Sequence, residues 1–235
     1  MLAFMPSLES LIAAHRTVLL IDSASACVQV GLWRLGSAAV WRQSDREAGV
    51  AIFECADAVL TEARIGLGGL GALAFCEGPG SILGIRTAAM ALRTWQTVGG
   101  RPLPAFAYRS LELVARDLSG NSSSAPFAVT IDARRGTWHW IEVAPGQTPG
   151  PLQRVPQTTL AAFPGRLLLP AGFRSWAQPP RPFETVAYSL AALWPRQVAA
   201  DLLRPAAQPD AFLHEDPAYA TWTPQIHRAP RPAAP

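Results

Sequence analysis

Residues 72–86 read ALAFCEGPGSILGIR, and the fold is decided here. Leu73-Ala74-Phe75-Cys76 is a short, wholly apolar run, the pattern of a strand buried on both faces of a sheet. A glycine-rich loop follows, Gly78-Pro79-Gly80-Ser81-Ile82-Leu83-Gly84-Ile85-Arg86, and a helical spacing runs from Ile85 to about Thr97, stopped by Gly99-Gly100. Backbone N–H groups in such a loop can converge on an anion, with Arg86 adding charge. A tight strand-to-helix turn that holds no ligand is the plainer alternative. Three nucleotide or nucleophile motifs fail on spacing. Ile85 stands where a phosphate-loop lysine would be. The glycines are one residue too far apart for a dinucleotide fingerprint. Pro79 replaces the first glycine of a nucleophile elbow around Ser81.

Upstream, Val18–Ile21 is an apolar strand ending at Asp22. A small-residue turn, Ser23-Ala24-Ser25-Ala26, leads to the alternating strand Cys27–Trp33, and Leu35-Gly36 turns into a third strand, Ala38–Gln43. Three strands joined by tight turns predict an antiparallel meander. Glu47–Arg64 reads as a helix with Val50, Phe53, Ala56 and Leu60 on one face, broken at Gly66–Gly71. The order is βββαβα, preceded by a short helical extension over 1–16.

Downstream, Leu103–Ala107 predicts a strand, Arg109–Leu118 a helix and Gly120–Ser124 a flexible link. Phe127–Asp132 then repeats the earlier pattern of an apolar strand ending in Asp, with a small-residue turn and a partner strand at Thr137–Val143. Beyond Pro145 only short elements are expected, such as Leu167–Leu169 and Thr185–Trp194, and from Arg204 proline recurs at short intervals, predicting an extended or partly disordered tail. The division is therefore an extension (1–16), a first lobe (17–102), a reduced second lobe (103–203) and a Pro-rich tail (204–235).

Composition narrows the function. Hydrophobic residues make up 49% and charged residues 16% of 235, enough apolar mass for a core and too little charge for a disordered chain. All twenty basic residues are Arg, so lysine Schiff bases and lysine phosphate clamps are excluded. The net charge of +3 permits nucleic-acid contact without arguing for it. Cys27, Cys55 and Cys76 are scattered and odd in number, as expected of buried thiols in a reducing compartment. No apolar stretch approaches the ~20 residues that span a bilayer, and the N-terminus lacks a basic leader pattern. The expectation is a cytoplasmic protein.

The two strand-terminal acids, Asp22 and Asp132, admit two readings. Each would cap its own turn through backbone amides, or the pair would hold Mg-ATP between two lobes. The second reading wants glycine after the Asp so that backbone can approach phosphate. Asp22 is followed instead by Ser23-Ala24-Ser25, and Asp132 by Ala133-Arg134-Arg135-Gly136, which argues against independent ATP hydrolysis. His15, His139, His214 and His227 show no metal-ligand spacing. The eight Trp are spread along the chain and read as core or interface mass, not as a base-stacking platform.

The segments VLLIDSAS (18–25), ALAFCEGPGSILGIR (72–86) and VTIDARRG (129–136) together resemble the bacterial TsaB (YeaZ) family. In that family the loop usually reads G-P-G-S-F-T-G-[VI]-R and the second hairpin D-A-R-x-G-[EQ]; here Ile82 and Leu83 replace Phe and Thr. Asp216-Pro217-Ala218-Tyr219 is a weaker match to a C-terminal P-x-Y. The resemblance implies an α/β actin-like ATPase (ASKHA/RNase H-like) fold with a reduced second lobe. It implies a non-catalytic subunit that pairs with a TsaD-like catalytic subunit, joined by a TsaE-like ATPase, to form threonylcarbamoyladenosine in tRNA. The helix after the third strand and the helix after the glycine loop would form the partner surface, through Val50, Phe53, Ala89, Met90, Thr94 and Thr97. No cofactor or metal of its own is implied, only ATP or ADP at the partner interface, facing Gly78, Pro79, Gly80, Ser81, Gly84 and Arg86. The tRNA would be reached at most indirectly. Three alternatives stay open: a phosphotransferase of the same fold using Asp22 and Asp132, a peptidase, and a homodimer that pairs through the same helices without a tRNA role.

Overall fold

The computed structural model describes residues 5–98, 102–120 and 125–213. A first sheet is built around β1 (Thr17–Asp22), whose residues from Val18 on are all buried. The strand pairs antiparallel with β2 (Val28–Arg34), which pairs in turn with β3 (Val40–Ser44), so the meander forms as expected. On its other side β1 lies parallel to β4 (Ala72–Gly78), with Ile21 opposite Phe75. Parallel pairing puts apolar side chains on both faces, which is why both strands read as unbroken apolar runs.

Helix α1 (Leu8–His15) precedes β1, and Ser7 caps it by accepting the Ser10 N–H at 3.1 Å. It is no appendage: Leu8 and Leu11 belong to the main core, and the Glu9 amide donates to the Val198 carbonyl at 2.8 Å. Helix α2 (Ala48–Ala63) follows β3, and α3 (Ile82–Val98) follows β4; the two lie side by side against this sheet. α3 begins three residues before the expected Ile85, because the Ser81 hydroxyl caps its first turn through the Gly84 N–H. The glycines assigned to its end, 99 and 100, lie outside the described residues.

Strand β5 (Ala105–Arg109) pairs parallel with β4 and therefore belongs to the first sheet, not to the second lobe where the sequence division placed it. The cause is the β4–α3–β5 crossover, which returns the chain beside the strand it left. Helix α4 (Ser110–Ser119) sits between the two sheets, packing on β4 and β5 of one and on β6 (Phe127–Asp132) and β7 (Thr137–Val143) of the other. The link expected at Gly120–Ser124 falls mostly outside the described residues.

The second sheet runs β10-β9-β6-β7-β8, with β8 at Gln153–Pro156, β9 at Arg166–Pro170 and β10 at Glu184–Val186. Its strands alternate: Val129, Ile131, Ile141 and Val143 enter the main core, whereas Ala128, Trp138 and Trp140 form a small core on the other face under α5 (Gln157–Ala162). Helix α6 (Leu190–Gln197) packs on α4, where Arg196 holds Asp117 through two hydrogen bonds of 2.7 and 2.8 Å. The tail then returns to the first sheet. β11 (Arg204–Pro205) pairs antiparallel with β5, and the Phe212 amide donates to the Glu77 carbonyl at 2.7 Å. The whole is the α/β actin-like arrangement of two related lobes, the first βββαβα and the second smaller in helix but five-stranded.

Candidate functional site

The two strand-end turns hold the candidate acids, and Asp22 closes the first. Its carboxylate is fully buried; Oδ1 accepts the Ala24 N–H at 2.9 Å, the turn cap expected from the sequence. Oδ2 accepts two tyrosine hydroxyls, Tyr108 and Tyr188, each at 2.6 Å. Tyr108 lies near the end of β5 and Tyr188 just before α6, so one carboxylate oxygen joins the two lobes. Burial pushes the Asp22 carboxyl above its usual range, and the hydroxyl and amide donors pull it part of the way back. Burial beside Asp22 pushes both tyrosines up well above theirs. Tyr108 packs edge-on against Trp194 and Tyr188 edge-on against Phe173, with centroids 5.0 and 4.9 Å apart. Protein side chains thus surround the first acid.

The glycine loop faces this turn with its backbone. A Cβ on Gly80 would lie 2.3 Å from the Ala24 carbonyl oxygen, and one on Gly84 2.3 Å from that of Ser23. The Ser81 N–H donates to the Ala24 carbonyl at 2.7 Å. Here, then, glycine permits backbone to meet backbone. The Ser110 hydroxyl donates to the Pro79 carbonyl at 2.6 Å, fixing the loop from below. Arg86 is exposed and lies 3.9 Å from Asp210 of the tail, which also sits 3.5 Å from Arg93.

Asp132 ends β6 in the same way, with Oδ1 accepting the Arg134 N–H at 2.6 Å. Its Oδ2 accepts the backbone N–H groups of Trp176 and Ala177, at 2.6 and 2.9 Å. The segment that supplies these amides also touches the first turn, because the Gly172 carbonyl accepts the Ala26 N–H at 2.8 Å. Residues 171–177 therefore span from one strand end to the other. Among the described residues no cluster of His, Cys, Asp and Glu is arranged to hold a metal.

The second candidate is the face shared by α2 and α3. α2 buries Ala51, Ile52, Cys55, Ala56, Val59 and Leu60. Val50 and Phe53, expected on the same face as Ala56 and Leu60, instead turn outward, at 37% and 46% exposure. The reason is that Ile52, Cys55, Ala56 and Val59 make a tighter 3–4 spaced stripe for the sheet. On α3, Ala89 is buried in the core and is not a surface residue, whereas Met90 is 57% exposed and Thr94 and Thr97 are exposed. Phe53 meets Trp95 edge-on at 5.9 Å, so the exposed apolar strip crosses from one helix to the other.

Comparison with known proteins fits this geometry. Residues 42–148, from α2's approach through β7, match the family described as TsaD: tRNA N6-adenosine threonylcarbamoyltransferase. The tRNA threonylcarbamoyladenosine biosynthesis protein TsaB of Escherichia coli (strain K12) is 29% identical over 126 residues, which are 53% of this chain and 54% of that protein. The structure superposes on YeaZ from Pseudomonas aeruginosa with a TM-score of 0.57 at 21% identity, covering 84% of this chain and 99% of that one. The chain is similar to TsaB and YeaZ proteins in both sequence and fold. A second structure, of a protein with similarity to peptidase YeaZ from Pseudomonas aeruginosa, gives a TM-score of 0.54 at 22% identity over 74% of this chain. The match to the curated TsaB spans about half the length of that relative.

Within this TsaB/YeaZ-like frame, sequence reasoning found both acids and the loop but missed what holds them. Tyr108 carried a signal, a polar tip next to Arg109 at the end of the otherwise apolar strand AFAYR. Tyr188 and the amides of Trp176 and Ala177 carried none, since they arrive from a Pro-rich stretch without periodicity. No helix among the described residues is long and apolar enough to cross a membrane.

Proposed function

We propose that this chain is a non-catalytic, cytoplasmic subunit of the machinery that forms threonylcarbamoyladenosine in tRNA, docking a TsaD-like catalytic subunit through α2 and α3. The occupancy of Asp22 carries the reading. Both tyrosine hydroxyls sit on the carboxylate oxygen that the turn cap leaves over. With the Gly80 and Gly84 backbone packed on the Ser23-Ala24 turn, the chain's own strand ends offer phosphate little room. Any ATP or ADP then belongs at the partner interface, and neither the peptidase nor the phosphotransferase reading has an observation in its favour. The exposed strip of Val50, Phe53 and Met90 supplies the docking surface, and the same strip would pair two copies when the partner is absent. A TsaE-like ATPase completes the assembly.

Reconstitution tests this. A TsaD-like subunit, a TsaE-like ATPase, a source of threonylcarbamoyl-adenylate and unmodified tRNA should form the modified nucleoside only when this chain is present. ATP turnover by the chain alone, or a yield unaffected by leaving it out, would overturn the proposal.

A further inference from the structure

Charge is unevenly spread along the sequence. Residues 133–183 hold six Arg and a single acid, Glu142, a net of +5 within a chain of +3, so the remainder is net negative. Three of these arginines, Arg134, Arg135 and Arg174, are exposed and lie at the β6–β7 hairpin tip or in the 171–177 segment beside it. Among the described residues none of the three forms an ion pair. The Arg134 guanidinium lies 4.0 Å over the ring of Trp176, itself 63% exposed. An indole that open on a loop is not core mass.

Asp132 makes this arrangement rigid. One carboxylate oxygen holds the Arg134 amide, the other the Trp176 and Ala177 amides, so hairpin tip and loop are fixed to each other. From the far side Arg154 donates to Thr137 Oγ1 at 2.8 Å and reaches the Ala133 carbonyl at 3.4 Å, bracing the same tip.

We infer that the β6–β7 tip and residues 171–177 form an RNA-binding surface, in which Arg135 and Arg174 meet backbone phosphates and the Arg134–Trp176 stack receives an unpaired base. Arginine with an open aromatic plane is the pairing that takes single-stranded or looped RNA, since bases stack on indole and guanidinium alike. An acidic protein would satisfy the charges but leave the stack unused, and the apolar surface suited to a protein partner lies elsewhere, on α2 and α3. The inference rests on the proposed tRNA role and adds a direct RNA contact where only an indirect one was expected.

The test is fluorescence anisotropy of a labelled anticodon stem-loop RNA, titrated with the full chain, alone and in complex with its TsaD-like partner, over a salt series. Arg135→Ala and Arg174→Ala should each weaken binding several-fold and flatten the log–log salt dependence by about 0.7–0.9. Trp176→Ala should weaken it while Trp176→Phe restores most of the loss, and Arg42→Ala, on β3, should change nothing. Thermal melts identify any variant that misfolds. Wild-type binding by a folded Arg135→Ala/Arg174→Ala protein would overturn the inference, as would polyglutamate binding as tightly as RNA with the same arginine dependence. If that double variant behaves as wild type while the complex still forms, only the RNA surface is lost. If RNA binds through these arginines but no complex forms, the subunit reading fails instead.

Discussion

Asp22 is the residue on which the molecule's character turns. A carboxylate at the end of a buried strand is expensive to bury without donors, and it has three: one amide and two hydroxyls. Removing one hydroxyl by Tyr188→Phe should cost about 1–2 kcal/mol of stability. Asp22→Ala should cost more, because two buried hydroxyls lose their acceptor together, whereas Asp22→Asn keeps the shape and leaves a donor that the tyrosines can accept. Chemical denaturation of the four proteins checks the order. The carboxyl is held above its usual 3.8, so the folded protein binds the proton more tightly than the unfolded chain does. Its contribution is therefore full below that value and is lost as pH rises through the folded one. Melting temperatures of wild type should fall relative to Asp22→Asn over that rise; parallel pH profiles would show that Asp22 does not titrate between the two states.

At the scale of elements, α2 and α3 divide their surfaces between sheet and solvent, and the division makes Met90 the cleanest probe. It is exposed, so Met90→Glu should leave stability within about 0.5 kcal/mol and reduce affinity for a TsaD-like partner at least tenfold. Calorimetry of binding beside a thermal melt decides it; unchanged affinity would move the interface elsewhere. The sequence predicted both helices and the exposed side of α3, because helical periodicity survives in an isolated chain. It put the buried Ala89 on the partner surface and set the exposed Val50 and Phe53 on one face with the buried Ala56 and Leu60, since a face with two apolar stripes does not say which one meets the sheet until the sheet is in place. The glycine loop was legible as a strand-to-helix turn, but the partner of its glycines was not, because Ser23 and Ala24 reach it across β1–β4 pairing and not along the chain.

At the scale of the whole molecule, the first lobe was readable and the second only as far as α4, the β6–β7 hairpin and isolated short elements. Periodicity and tight turns are local signals, and the first lobe is built from them. The second lobe is closed by long-range pairing of β9 beside β6, and the tail is tied to the first sheet by the Phe212 amide on Glu77 and by Arg109 lying 3.8 Å over the Phe212 ring. Ending the chain at Leu203 should uncover the edge of β5 and lower the melting temperature by several degrees, roughly 1–2 kcal/mol for the lost pairs; an unchanged melt would mean that the tail lies on the sheet without stabilising it. The proposal that the protein acts through a partner rests on its engaged acids and on the apolar strip exposed on two helices. Size-exclusion chromatography with light scattering tests that most directly, on this chain alone, on the TsaD-like protein of the same organism, and on their mixture. A one-to-one complex replacing both free species at micromolar concentration is the predicted result, and two proteins that elute unchanged from the mixture would contradict it.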